Sequence, residues 1–159
     1  MIRLFCCLNG RDMFLKSYEK ELANRLLNKT SISNEYEEQM IQKLKVECGA
    51  TQVQKMTGMS KDITLSRDIQ QNFNTSIGGQ NQINGVEFNI EVLTNGTWPQ
   101  MHEPPCNLPR ELKACTEKFT MWYKNQNSNK QLNWLYSNGS VELIVMYTPK
   151  KYQLIVNVF

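Results

Sequence analysis

The sequence has little of what catalytic and metal-binding proteins use. It contains one histidine, His102, and five cysteines, and no two of the cysteines stand at a C-x-x-C spacing. An odd number of cysteines without a C-x-x-C pair disfavours a disulfide framework and a structural zinc site. It also favours a protein of a reducing compartment. Gly-rich phosphate loops, G-x-S-x-G elbows and H-E-x-x-H helices are also missing. We therefore expect no enzyme activity, no cofactor and no metal.

Long apolar runs and a strong charge of one sign are missing too. The apolar stretch at Leu4–Leu8 is far shorter than the core of a signal peptide or the roughly 20 residues of a membrane span. We expect a cytoplasmic or nuclear protein without membrane contact. The net charge is only +3. A nucleic-acid site is usually marked by a dense stripe of basic residues, and so small a net charge gives no support for one. With a pI near 8.6, a nucleic-acid-binding or general protein-interaction module remains the alternative.

Three thiols still deserve a chemical interpretation. His102 with Cys106 and Cys115 forms at most a partial zinc site, because a structural zinc ion needs four ligands. A Cys-His pair with Cys48 or Cys106 as nucleophile is the enzymatic alternative. Cys48, however, lies on the apolar face of a predicted helix, where an inert core thiol is the simpler interpretation.

Helical periodicity dominates the first half of the chain. Apolar residues recur every four positions over residues 12–28 and predict one amphipathic helix. A second helix is predicted over 34–48, with Ser33 or Asn34 as its N-cap and Gly49 at its end.

Two more helices are predicted after Gly49. One covers residues 50–63, and a short one follows, capped by Ser66. Because short connections join these amphipathic helices, we expect antiparallel neighbours in a bundle.

The second half alternates between apolar and polar residues with the period of a strand. A helix beginning near Pro109 interrupts it, and Asn138-Gly139 is a strong hairpin signal. The edge of such a sheet is either covered by its own helix or by sequence that is missing from this chain, or it accepts an extended segment of a partner. The residues alone do not decide between these two interpretations. The predicted strands cover residues 86–92, 132–136, 141–147 and 152–158.

These patterns predict an α+β protein. An antiparallel helical bundle over residues 1–77 and a linker over 78–85 precede an α/β domain over 86–159 with a four-stranded, mainly antiparallel sheet. Because the last strand pattern runs to the end of the sequence, we expect a fragment of a longer protein.

Several stretches resemble signatures of the cullin family, in the family's order. Arg11–Leu27 is similar to D-x-F-x-x-x-Y-x-x-x-L-A-K-R-L-L, with Asn24 in place of the lysine. Met40–Gly49 resembles M-x-x-K-L-K-x-E-C-G, and Lys55–Ile63 resembles K-L-x-G-M-x-x-D-I. Val92–Pro99 is similar to V-L-T-x-G-x-W-P. Each match is weak alone, but together they are specific and span nearly the whole chain.

The resemblance implies a non-catalytic scaffold of a cullin-RING ubiquitin ligase. In that family, a strand of the RING-box protein inserts into the α/β sheet and thereby positions a ubiquitin-conjugating enzyme for ubiquitin-dependent protein degradation. Since the adaptor-binding repeats and the segment with the modifier-accepting lysine have no counterpart here, we expect neither adaptor binding nor that modification.

The resemblance also implies two sets of binding residues. Lys16, Lys20 and Arg25 are expected to attract the acidic tail of the conjugating enzyme, although a solvated helix face also explains them. The expected RING-partner residues in the sheet are Val86, Phe88, Ile90, Val92, Trp98, Leu132, Trp134, Leu143, Val145, Leu154 and Val156.

Overall fold

The computed structural model describes residues 5–79, 81–99, 106–148 and 150–158, with only the backbone described at residue 157. The chain forms two compact units. One comprises Met1–Ser76 and Asn89–Gln100, and the other comprises Ile77–Phe88 and Met101–Phe159. This division differs from the predicted single boundary at 78–85, because the chain returns to the helical unit after Phe88.

Among the described residues, three long amphipathic helices build most of the first unit. They are α1 (Arg11–Leu27), α2 (Asn34–Cys48) and α3 (Gln54–Ser76). The Ser33 side chain caps α2 by accepting a hydrogen bond from the Tyr36 amide at 3.4 Å, and Gly49 ends it with a φ of 87° that favours glycine. The helices bury the following apolar side chains: Leu15, Leu22, Leu26, Ile41, Leu44, Met56, Met59, Ile63 and Phe73.

Helix α3 corrects the predicted break near Ser66. The helix continues without interruption from Gln54 to Ser76, because the Ser66 hydroxyl is not used as a cap. It lies in the helix interior and bonds to the backbone of Val92 instead. A serine that precedes apolar residues predicts a helix N-cap from sequence, but its hydroxyl can instead form hydrogen bonds with backbone groups that are distant along the chain.

Where the structure describes the second unit, it contains two antiparallel hairpins and one long helix. Strands β1 (Gln82–Ile83) and β2 (Val86–Glu87) pair across the turn Asn84-Gly85. Both turn residues have positive φ, 53° and 81°, as a two-residue hairpin turn requires. Helix α4 (Arg110–Gln126) then begins directly after Pro109 and buries Cys115, Phe119 and Tyr123.

The other hairpin is formed by β3 (Ser140–Tyr147) and β4 (Lys150–Asn157), paired antiparallel along their full length. The α+β class is thus confirmed, but the described residues form two separate two-stranded sheets and not the predicted four-stranded one.

Residues 132–136 were predicted to form one of the four strands, but they do not form a strand in the structure. The Trp134 ring packs 5.9 Å from Phe119 and its Nε1 donates to the Thr120 hydroxyl at 3.1 Å, so this segment binds to α4. A 3-10 turn, Tyr136–Asn138, follows, and Gly139 has a φ of −81°, so Asn138-Gly139 is no hairpin turn. Among the described residues, no helix combines the length and apolarity needed to cross a membrane.

Candidate functional site

The β3–β4 hairpin presents one apolar face. Successive side chains of a strand alternate between faces, and the register places Leu143 opposite Leu154 and Val145 opposite Tyr152. Four of the predicted sheet residues, Leu143, Val145, Leu154 and Val156, therefore share one side of the hairpin. The complete apolar face consists of Val141, Leu143, Val145, Tyr147, Tyr152, Leu154 and Val156.

This hairpin is poorly covered on both sides. On the apolar face, Leu143 and Leu154 leave 43% and 46% of their surfaces exposed. On the other face, Ile144 and Ile155 leave 71% and 75% exposed. Two paired strands without a covered face are marginally stable in water, and contiguous exposed apolar surface marks interaction sites. The hairpin thus has the properties of a surface that another chain segment covers.

The other predicted sheet residues lie elsewhere. Val86 is in β2, and the Phe88 ring packs 6.3 Å from Trp134 in the second unit. Leu132 lies in the irregular segment before the 3-10 turn. The prediction of a single sheet site is corrected for all of these. Ile90, Val92 and Trp98 are also not in a sheet, because they bind to helix α3 in the first unit.

Helix α3 holds the segment 90–98 with polar side chains spaced four residues apart. Gln70 Oε1 accepts the Ile90 amide at 2.8 Å. The Ser66 hydroxyl accepts the Val92 amide at 2.7 Å and donates to the Val92 carbonyl at 2.9 Å. Residues 62, 66 and 70 lie on one face of a helix. Their side chains bind the extended segment and form the kind of backbone hydrogen bonds that a neighbouring strand would otherwise form.

Asp62 completes this arrangement, which we call the α3 clasp (Asp62, Ser66 and Gln70). Its buried carboxylate accepts three hydrogen bonds. The Thr94 amide and hydroxyl donate at 2.8 and 2.7 Å, and Trp98 Nε1 donates at 2.8 Å. A buried carboxylate is costly unless it is fully hydrogen-bonded, and here both oxygens are bonded.

The sequence analysis did not predict the α3 clasp, because apolar periodicity does not indicate which extended segment a helix contacts. A signal nevertheless exists. Two of the signature stretches, Lys55–Ile63 and Val92–Pro99, meet in space through Asp62 and Trp98. They also meet where Gly58 faces Thr97, since a Cβ on Gly58 would lie 2.7 Å from Thr97 Cγ2.

The predicted basic residues do not form one cluster. Lys16 and Lys20 are exposed on adjacent turns of α1. Arg25 follows Lys16 by about two and a half helical turns and therefore points to the opposite side. Its guanidinium is already bound, with Nε 2.7 Å and Nη2 3.0 Å from the two oxygens of Glu37. The prediction that Arg25 shares a site with the lysines is corrected.

The Arg25–Glu37 pair instead joins α1 to α2. The Tyr18 hydroxyl donates to Glu37 at 3.1 Å and the Ser31 hydroxyl donates to it at 3.1 Å. The hydrogen bond from Arg25 holds the pKa of Glu37 below its usual range. Burial, with the negative charge of Glu37 nearby, raises the pKa of Tyr18 to about 12, so the phenol remains a donor. This network is part of the interhelical packing.

The thiols of Cys48 and Cys115 lack the environment of a nucleophile. Burial raises the pKa of Cys48 and of Cys115, and the Cys48 thiol donates to the Leu44 carbonyl at 2.7 Å. Reactive cysteines need a lowered pKa. Cys106 donates to the Val158 carbonyl at 3.2 Å, at the foot of the hairpin. His102 lies outside the described residues, and within those residues no group of three potential metal ligands comes together.

A groove of about 640 Å³ lies in the second unit beside α4. Its wall includes the stacked rings of Trp134 and Tyr136, whose centroids are 6.2 Å apart, and the hydroxyls of Thr116 and Thr120. The sequence contained no signal for this groove, because the segment around Trp134 was predicted to be a strand.

Comparison with known families assigns both parts of the chain. The family model described as the cullin alpha solenoid domain matches residues 1–70. The family model described as the cullin alpha+beta domain matches residues 92–159. The first match covers α1, α2 and most of α3, and the second covers α4 and the β3–β4 hairpin.

Individual relatives agree with these matches. The chain is 34% identical to Cullin-1 of Oryza sativa subsp. japonica over 100% of its own length and 22% of that protein. It is 36% identical to Cullin-3 of Dictyostelium discoideum over 99% of its length and 20% of that protein. It is 34% identical to Cullin-4A of Mus musculus over 98% of its length and 21% of that protein. The chain thus spans about a fifth of the length of the curated relatives it matches.

Proposed function

Because this chain belongs to the cullin family and spans one segment of it, we propose that it is the part of a ubiquitin-ligase scaffold that holds a RING-box protein. The role is non-catalytic. The RING-box protein recruits a ubiquitin-conjugating enzyme, and the scaffold contributes by holding that enzyme near its target, which raises the effective concentration of the reacting groups. Ubiquitin-dependent protein degradation is the process this serves.

The observation that carries the proposal is the uncovered β3–β4 hairpin. It offers regular backbone hydrogen-bonding groups along its edges and apolar side chains on its faces. An extended segment that adds to such a sheet gains affinity from main-chain hydrogen bonds and specificity from side-chain contacts. A strand of a RING-box protein supplies both.

Substitutions on the apolar face test this proposal. The chain is co-expressed with a RING-box protein and analysed by size-exclusion chromatography. The parent chain is expected to elute as a one-to-one complex. The double variant Leu143→Asp, Leu154→Asp should lose the complex, because it places two charges opposite each other on that face.

Val46→Asp is the matched control. Val46 is 84% exposed on α2 in the first unit, so its substitution changes an exposed apolar residue to a charge at a position remote in sequence from the hairpin. The complex should survive this change. If the double hairpin variant still binds as the parent does, the hairpin is not the RING-box site. If the parent chain itself forms no complex, the RING-box proposal is wrong.

A second part of the proposal concerns the conjugating enzyme. The exposed pair Lys16 and Lys20 supports weak, screened attraction of its acidic tail. Association of the conjugating enzyme with the complex should fall as salt rises, and Lys16→Glu with Lys20→Glu should remove that salt dependence. Charge reversal on α2, with Lys43→Glu and Lys45→Glu, is the control and should leave the salt dependence unchanged. Salt-independent association in the parent would contradict a role for the lysine pair.

A further inference from the structure

The groove beside α4 shares no residue with the surfaces proposed above for the RING-box protein and the conjugating enzyme. Among the described residues that line it, none belongs to α1, β3 or β4. Its volume of about 640 Å³ lies in the range of ligand-binding clefts. A groove of this size suits a small ligand or a few residues of an extended peptide. Its role is therefore independent of the proposed function.

Two aromatic rings form one wall of the groove, and packing within the fold fixes their position. Trp134 and Tyr136 have parallel ring planes, with their centroids 6.2 Å apart. The Trp134 ring also meets the Phe119 ring edge-on at 5.9 Å, and Phe119 is fully buried. Trp134 and Tyr136 are themselves only partly covered. A ligand therefore meets aromatic surface that is already ordered, so little side-chain entropy is lost on binding.

The polar atoms beside these rings already have partners inside the fold. Trp134 Nε1 donates to the Thr120 hydroxyl at 3.1 Å, and that hydroxyl donates to the Thr116 carbonyl at 2.7 Å. The Thr116 hydroxyl donates to the Lys113 carbonyl at 2.9 Å. Each of these bonds occupies a group that a ligand would otherwise use, and a buried donor without an acceptor is costly. The wall thus favours a ligand with apolar surface and few N–H groups.

Three charged or polar side chains of the lining remain available. Within the described part of the chain, the side chains of Asn107, Lys113 and Glu117 form neither a hydrogen bond nor an ion pair. All three residues are exposed. Asn107 and Lys113 offer N–H donors, which match the carbonyl groups of a peptide. Glu117 follows Lys113 by one helical turn on the same face of α4, and its carboxylate matches a basic side chain.

We propose that this groove binds a proline-rich segment of a partner protein in the polyproline II conformation, with a basic residue of that segment beside Glu117. Proline brings an apolar ring and no backbone N–H, as the wall of Trp134 and Tyr136 requires. A polyproline II helix has no internal hydrogen bonds, so its carbonyl groups are free to accept from Asn107 and Lys113. Aromatic-lined grooves bind such segments at low entropic cost, because the helix is formed beforehand.

Titration of the full chain with a fluorescein-labelled peptide tests the site. The peptide is a run of prolines with an arginine at each end, so either orientation places a basic residue near Glu117. Fluorescence anisotropy should show saturable binding below about 1 mM. A peptide with alanines in place of the prolines should bind at least about tenfold more weakly. In nuclear magnetic resonance, the indole N–H signal of Trp134 should shift on binding, while that of Trp98 in the first unit stays unchanged.

Glu117→Lys tests the charge preference. This variant should bind the arginine-flanked peptide about tenfold more weakly at low salt, and the loss should shrink at high salt. Glu111→Lys is the matched control, because Glu111 is exposed on the same helix and does not line the groove. Its affinity should stay within about twofold of the parent. Thermal unfolding of both variants checks that the chain is still folded.

Three results would overturn the proposal. The first is a parent chain that shows no saturable binding of the proline peptide, and the second is equal binding of the alanine peptide. The third is binding that leaves the Trp134 signal in place, because the peptide then lies outside the groove. Equal losses in Glu117→Lys and Glu111→Lys would overturn the assignment of the basic residue to Glu117. None of these results depends on whether a RING-box protein binds the hairpin.

Discussion

Replacement of Asp62 by alanine removes the acceptor of three hydrogen bonds in the α3 clasp. Trp98 is only 8% exposed, so its indole N–H would be left without water or a protein acceptor. The cost of leaving such a buried donor unsatisfied is about 1–3 kcal/mol. The Thr94 amide and hydroxyl also lose charge-assisted bonds, but Thr94 is exposed and water can replace them in part. We expect a total loss of about 3–4 kcal/mol in the free energy of unfolding.

A loss of this size is a large fraction of the stability of an ordinary domain, which is about 5–15 kcal/mol. Urea unfolding followed by far-ultraviolet circular dichroism measures it. Asp68→Ala is the matched control, because Asp68 lies on the same helix and is exposed. That variant should stay within about 0.5 kcal/mol of the parent.

Nuclear magnetic resonance of the indole N–H groups tests the physical reason directly. The chain has three tryptophans, and only the Trp98 N–H donates to Asp62 among the bonds described here. Asp62→Ala should therefore move the Trp98 resonance and speed its hydrogen exchange, while Trp122 and Trp134 stay unchanged. If Asp62→Ala is no less stable than Asp68→Ala and the Trp98 signal does not move, the α3 clasp does not stabilise the first unit.

Two further predictions concern the first unit. Glu37→Gln should lower the free energy of unfolding by about 1–2 kcal/mol at pH 7. The pKa of Glu37 is lowered in the folded state. The contribution of the Glu37 carboxylate to stability is therefore present above the ordinary glutamate pKa and is lost as the pH falls below about 4. The difference from the parent should therefore shrink in acid, with the exposed Glu21→Gln as control, and a constant difference across the pH range would contradict the network. Gly58→Ala should destabilise the chain by about 1 kcal/mol, since the new Cβ would lie 2.7 Å from Thr97 Cγ2. In a Thr97→Ser background, which removes that methyl group, the same substitution should become neutral or stabilising by up to about 1 kcal/mol through better helix propensity, and equal effects in both backgrounds would refute the close contact.

Apolar periodicity and end signals were sufficient for much of the fold. The bounds of α2, its cap at Ser33 and its end at Gly49 follow from local chemistry, because a cap hydroxyl and a positive φ are requirements of the helix end itself. The β3–β4 hairpin and the shared face of Leu143, Val145, Leu154 and Val156 follow from strict alternation. The cullin signatures were also readable in the sequence, and both family models confirm the family.

What the sequence left undetermined depends on partners that are distant along the chain. The alternation over residues 86–92 is equally compatible with a strand in a sheet and with an extended segment bound to a helix, and only the contacts of Gln70 with Ile90 and of Ser66 with Val92 decide between them. Two of the four Asn-Gly pairs in the sequence lie at 84–85 and 138–139. Of these two, only the first forms a hairpin turn, because Trp134 packs on α4 and the segment before the second pair therefore does not join a ladder.

The basic residues show the same division. Sequence composition identifies Lys16, Lys20 and Arg25 as positive, but charge alone does not say which of them remains available. The tertiary structure brings Glu37 of α2 against Arg25 and leaves the two lysines exposed. Local pattern therefore determined α1, α2, α4, the β3–β4 hairpin and the family. Packing between distant segments decided the length of α3, and it decided which polar groups are used inside the fold and which remain for a partner.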